Sequence, residues 1–244
     1  MKRSERHHLK ENELVAFVDR SREIVTTRRR ELLALVAVVA VVAAGVIGYF
    51  AWRSRTADKA AALLTEADTV LEAQVTTPAP PTPGQPAPKA PAGTYPSEQA
   101  KLEAALPKLA AVYTRYPSTE SGTAARYYAA NALAVLGRRA DAESRYQEVI
   151  DKGGVYAQMA RLGLAELFAN AGQHDRAITI YKELTAEPKG EMPVDGVLMQ
   201  LGRAYAQAGR RSEAQQTYTR IVQEFPESLY AADAKKELGT LKKS

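Results

Sequence analysis

Three stretches decide the fold: ANALAVLGRRADAESRYQEVI (130–150), ELFANAGQHDRAITIYKEL (166–184) and RAYAQAGRRSEAQQTYTRIVQEFP (203–226). They align on Gly137, Gly172 and Gly209, which lie 35 and 37 residues apart. Five residues after each glycine stands a small residue (Ala142, Ala177, Ala214), and nine after it a tyrosine (Tyr146, Tyr181, Tyr218). Four residues before it stands Leu133, Phe168 or Tyr205. Glycine at this position closes the first helix of a pair. Alanine then lets two helices approach, and the aromatic fills the space between them. Self-similarity at this period predicts an all-α solenoid of helix pairs.

The pattern resembles the tetratricopeptide repeat. Leu201, Gly202, Tyr205, Ala214, Tyr218 and Pro226 occupy that family's positions in the last unit, and Ala165, Phe168, Ala177 and Tyr181 do so in the middle one. The first unit is the most degenerate, with Ala130 and Leu133 in place of glycine and aromatic. Before it, KLEAALPKLAAVYTRYP (101–117) reads as a second helix whose first helix is residues 57–75. After the last unit, PESLYAADAKKELGTLKK (226–243) reads as the polar capping helix that such an array needs. The repeat domain is expected over 97–244.

In tetratricopeptide arrays the first helix of each pair lines a concave groove. By register on the glycines, this implies a protein-binding set of Tyr127 and Asn131, then Glu166 and Asn170, then Met199, Arg203 and Gln207. Some family members grip a peptide's carboxylates with groove lysines and asparagines. Here Asn131 and Arg203 match that clamp loosely, but Tyr127 replaces its lysine, which argues against a carboxylate clamp; the mixture of aromatic, amide, methionine and opposite charges suits an extended or partly unfolded polypeptide.

A second signal lies upstream. Leu32 to Trp52 (LLALVAVVAVVAAGVIGYFAW) is a 21-residue run without a charge. As a helix it would be about 31 Å long, the thickness of a bilayer's hydrocarbon core. A cleaved secretory signal and a buried core helix are the alternatives. Thirty-one residues precede the run, and Tyr49, Phe50, Trp52, Arg53 and Arg55 close it, which suits an uncleaved anchor with an aromatic interface belt. Nine Lys/Arg precede the run and three fall in the twenty residues after it. The positive-inside bias therefore predicts a cytoplasmic N-terminus and a C-terminal domain across the membrane, in the periplasm of a bacterium.

The remaining segments follow from composition. Residues 1–31 form a basic segment in which Leu14, Phe17, Val18, Ile24 and Val25 have helical spacing suited to the inner leaflet. In the span, Ala40, Ala44 and Gly48 form a small-residue stripe. Residues 53–75 continue as a juxtamembrane helix. From Thr76 to Pro96 eight of 21 residues are proline, which predicts an extended loop.

The pI near 9.3 does not point to nucleic acid. Beyond residue 31 the chain carries 24 basic and 22 acidic side chains, a nearly neutral balance with no pooled basic face. No catalytic, cofactor or metal constellation is expected. Cysteine is absent, the histidines are His7, His8 and His174, and no P-loop, Rossmann or G-x-S-x-G pattern occurs.

A single N-terminal span, a basic start and a short tetratricopeptide-like array together resemble the ancillary subunit family of the bacterial Sec translocon. That resemblance implies translocon subunits, a periplasmic chaperone or unfolded secreted chains as partners. The Pro-rich insertion departs from it. The stretches YPSTESGTAA (116–125) and FPESLYAADA (225–234) also resemble envelope-coordination proteins of the Tol-Pal type. An envelope-assembly or division scaffold, or a sensor signalling through residues 1–30, are therefore the alternative functions.

Overall fold

The computed structural model describes residues 29–76, 91–186 and 192–243. The basic segment before Arg29 and most of the Pro-rich loop, both expected from sequence, lie outside the described residues. The described chain is helical, and its only strand-like pairing is an isolated bridge between Val75 and Tyr95.

Two compact units divide between Arg55 and Thr56. Helix α1 (Arg29–Leu71) contributes to both. Its first part is the one element among the described residues long and apolar enough to cross a membrane. None of that window is buried, and Val36, Val41, Ile47 and Phe50 are all 60% exposed or more. A packed core leaves scattered apolar residues exposed, whereas a continuous exposed run of this length asks for an apolar partner.

In the second unit the last turns of α1 place Ala67 and Val70 in a buried cluster with Ala105, Leu109 and Val112 of α2 (Glu98–Arg115). Ala125 and Ala129 of α3 (Glu120–Val135) complete that cluster. Three helix pairs then follow in order. They are α3 with α4 (Arg139–Lys152), α5 (Val155–Asn170) with α6 (His174–Ala186), and α7 (Val194–Gln207) with α8 (Arg211–Glu224). Helix α9 (Ala231–Lys243) packs on α8 and ends the array. Each helix from α2 onward packs on its chain neighbours, and α3 also touches α5, which makes a solenoid.

The glycine register has a direct physical basis. Gly137, Gly172 and Gly209 have φ of 73°, 74° and 74°, the left-handed region that side chains with a Cβ resist. After each glycine the next N–H reaches back across the helix end: Arg138 to the Leu133 carbonyl (2.9 Å), Gln173 to Phe168 (2.9 Å), Arg210 to Tyr205 (2.8 Å). Together with the Gly137 N–H on the Ala134 carbonyl (3.1 Å), this is the Schellman arrangement that satisfies carbonyls left over at a helix end.

Inside the pairs, Ala142, Ala177 and Ala214 are fully buried, and Tyr146, Tyr181 and Tyr218 are nearly so. Two of these rings need a neighbouring glycine. A Cβ on Gly163 would stand 2.8 Å from the Tyr146 ring, and one on Gly202 would stand 2.4 Å from the Tyr218 ring.

The Tyr-Pro and Phe-Pro turns are connectors of one kind. Tyr116 (φ −129°, ψ 55°) and Phe225 (φ −130°, ψ 56°) end α2 and α8 in the same conformation. Thr119 then caps α3 by accepting a hydrogen bond from the Gly122 N–H (3.0 Å). The two stretches that resemble envelope-coordination proteins thus share one helix-ending conformation.

Two glycine substitutions should move stability in opposite directions. Gly202→Ala gains about 1 kcal/mol in helix propensity but forces Tyr218 to shift, at a cost of about 1–3 kcal/mol or more. Gly239→Ala on exposed α9 meets nothing within 4 Å. Thermal unfolding of the full chain in detergent should show a lower midpoint for the first and an unchanged or higher one for the second.

Candidate protein-binding groove

The first helices α3, α5 and α7 present their free face to two adjoining recesses. The first has a volume of about 540 Å³. Tyr127, Asn131 and Val135 of α3 form one wall, and Met159, Leu162, Glu166 and Asn170 of α5 form the other. The second recess holds about 220 Å³ between Glu166 and Asn170 of α5 and Gln200, Arg203 and Gln207 of α7. Glu166 and Asn170 belong to both, so the recesses meet on α5.

Six of the seven groove positions expected from sequence therefore line this surface: Tyr127, Asn131, Glu166, Asn170, Arg203 and Gln207. Met199 does not. It is fully buried in the repeat core with Val197, Leu198 and Leu201, and the adjacent Gln200 lines the recess in its place. Burial of this long, unbranched apolar side chain in the core is favourable.

The floor comes from the second helices, which glycine-based register on the first helices alone does not supply. Tyr146 of α4 lines the first recess and Tyr181 of α6 the second. The Tyr146 hydroxyl donates to Asn131 Oδ1 at 2.6 Å and so orients that amide. The Tyr127 ring lies 6.4 Å from Tyr146 and 5.8 Å from Tyr156, and Tyr128 completes the aromatic cluster at 5.6 Å from Tyr127. Such separations suit offset and edge-on ring contacts. The signal available in the sequence was the tyrosine at the ninth position after each glycine, a residue whose ring is core and whose hydroxyl needs a polar outlet.

The electrostatics of the groove centre on Glu166. The residue keeps solvent exposure, but its carboxyl faces the recess, and partial burial pushes its pKa up. Burial and the nearby Glu166 together push the Tyr146 and Tyr181 hydroxyls up, so both stay neutral. Burial pushes Tyr218 up to about 12. Among the described residues no group of three or more His, Cys, Asp or Glu is arranged to hold a metal ion. His174, the first residue of α6, stands alone in this respect.

Against known families the match is broad. The tetratricopeptide repeat-like domain matches residues 29–235. The chain belongs to this family. Among curated proteins none matches it. Among solved structures, the MamA protein is similar at 21% identity and TM-score 0.43, over 50% of this chain and 63% of that one. A tetratricopeptide repeat protein from Parabacteroides merdae aligns at 18% identity and TM-score 0.49, over 59% of this chain and 55% of its own. The C-terminal part of a repeat-containing protein from Cytophaga hutchinsonii aligns at 20% identity and TM-score 0.47, over 55% and 50%. The chain thus spans less than two-thirds of the length of each of these structures. A tetratricopeptide repeat-like fold is that of a protein-interaction scaffold, and this family's match includes the apolar part of α1 as well as the repeats.

The raised pKa of Glu166 has a thermodynamic consequence. Its ionised form is disfavoured in the folded state, so a penalty is present above its folded pKa and disappears as pH falls through it. Glu166→Gln should therefore have a higher thermal midpoint than wild type at pH 7. The two should converge as pH is lowered through the carboxylate range. A wild type that is the more stable at pH 7 would mean that the carboxylate is held by a favourable contact instead.

Proposed function

We propose that this protein is a single-pass, membrane-anchored scaffold that binds other polypeptides in its concave groove, as an ancillary subunit at the Sec translocon. Residues 32–52 span the inner membrane and residues 1–31 stay cytoplasmic. The juxtamembrane helix 53–75, the Pro-rich loop 76–96 and the repeat domain 97–244 face the periplasm. The observation that carries this reading is the unburied, uncharged stretch of α1 inside one family match with the repeats. An apolar surface of that size is stable in lipid, and the Lys/Arg excess before it sets the direction.

The groove supports the second half of the proposal. An apolar first recess with aromatic rims accepts side chains of varied shape, and the amides of Asn131, Asn170, Gln200 and Gln207 offer both donors and acceptors to a peptide backbone. Such a surface suits extended chains emerging unfolded from a channel. An envelope-assembly scaffold or a cytoplasmic-signalling sensor would share the anchor.

Photo-crosslinkers at Tyr127 and Arg203 in intact cells, combined with protease accessibility of the C-terminus, test this directly. The proposal expects protease access from the periplasmic side and capture of translocon subunits, chaperones or nascent secreted chains. Capture confined to wall or outer-membrane proteins would overturn the translocon assignment. A C-terminus protected by the cytoplasmic membrane would overturn the topology.

A further inference from the structure

We infer that the groove selects polypeptide segments bearing a lysine or arginine side chain, which Glu166 receives where the two recesses meet. This rests on the reading of the concave face as a polypeptide-binding surface and adds the chemistry of the ligand.

The first observation is that Glu166 is left without a partner. Several charges on the repeats are matched locally: Arg138 with Asp141 at 2.7 Å, Arg176 with Glu143 at 2.8 Å, Arg210 with Glu213 at 2.8 Å and Arg220 with Glu224 at 2.8 Å. Among the described residues no hydrogen bond or ion pair reaches the Glu166 carboxylate. A carboxylate in a recess loses hydration, and without a counter-charge that loss is uncompensated until one arrives.

The second observation is the shape of what leads to it. Met159, Leu162 and Leu167 give the first recess an apolar wall, and Glu166 stands on the same helix where that wall meets the polar second recess. An aliphatic wall ending in an anion complements the side chains that carry an aliphatic stem and a cationic head, which are lysine and arginine. A charge-assisted contact in a partly dried site is stronger than a neutral one. Arg139 lines the first recess and Arg203 the second, so each recess also holds a cation. These cations disfavour a run of basic residues and favour a single one set among neutral or acidic neighbours. This is the reverse of a carboxylate clamp, in which the groove supplies the positive charge.

Selection of a random-sequence decapeptide phage library on the full chain in lipid nanodiscs tests the inference. Wild type should enrich peptides with one Lys or Arg beside an apolar residue. For a selected lysine peptide, Glu166→Gln should weaken binding by about tenfold, the scale of one charge-assisted contact. The same variant should leave unchanged the affinity of the matched norleucine peptide, which keeps the stem and lacks the charge. Glu166→Lys should shift the selected peptides to an acidic residue. Circular dichroism melts would confirm that both variants are folded. Peptides selected without basic enrichment, or lysine peptides indifferent to Glu166→Gln, would overturn the inference and leave the groove reading standing. No selectable peptides at all would overturn both.

Discussion

The structure depends on one repeated contact: a tyrosine ring inserted between helices at a fixed distance from a left-handed glycine. The glycine turns the chain through a Schellman end, the alanine lets the second helix come close, and the tyrosine fills what remains. Tyr181 and Tyr218 are each 1% exposed, so these rings are true core despite their polar ends. Gly163 and Gly202 exist to receive Tyr146 and Tyr218, since any side chain there would collide with the ring. Burying an aromatic of this size stabilises by about 1.5–3 kcal/mol, and one such contribution recurs in each of the three pairs.

The groove follows from the same contact. A buried phenol must place its hydroxyl where a polar partner or water waits. Tyr146 meets this need by donating to Asn131, and Tyr146 and Tyr181 both lie near Glu166. The rings that hold the helix pairs together thereby supply the floor of the concave surface. The first helices need only add side chains at spacings of three and four to complete its walls. The recessed surface of this chain is thus a by-product of packing.

Much of this was legible before any coordinates. The period of the glycines, the small residue at the fifth position and the aromatic at the ninth carry the fold because each answers a steric demand that few other residues meet. The concave positions Asn131, Glu166 and Arg203 are readable because they share one register. The burial of Met199 is not legible, because register gives an angle around the helix but not which neighbours cover that face. Tyr146 and Tyr181 are legible as core fillers whose hydroxyls need a polar outlet, but where that outlet opens depends on how the helix pairs stack. The unpaired state of Glu166 among the described residues is not legible for a similar reason, since it depends on which side chains of other helices reach it.

The most direct test is the unfolding of Tyr181→Ala in the full chain, beside Tyr181→Phe as the control that removes only the hydroxyl. Tyr181 is the rung of the middle pair and the floor of the second recess. Truncating it to alanine should cost about 3–5 kcal/mol, as for other buried aromatics, while the phenylalanine variant should stay within about 1.5 kcal/mol of wild type. An alanine variant as stable as wild type would show that the repeats are held by something other than the tyrosine rungs.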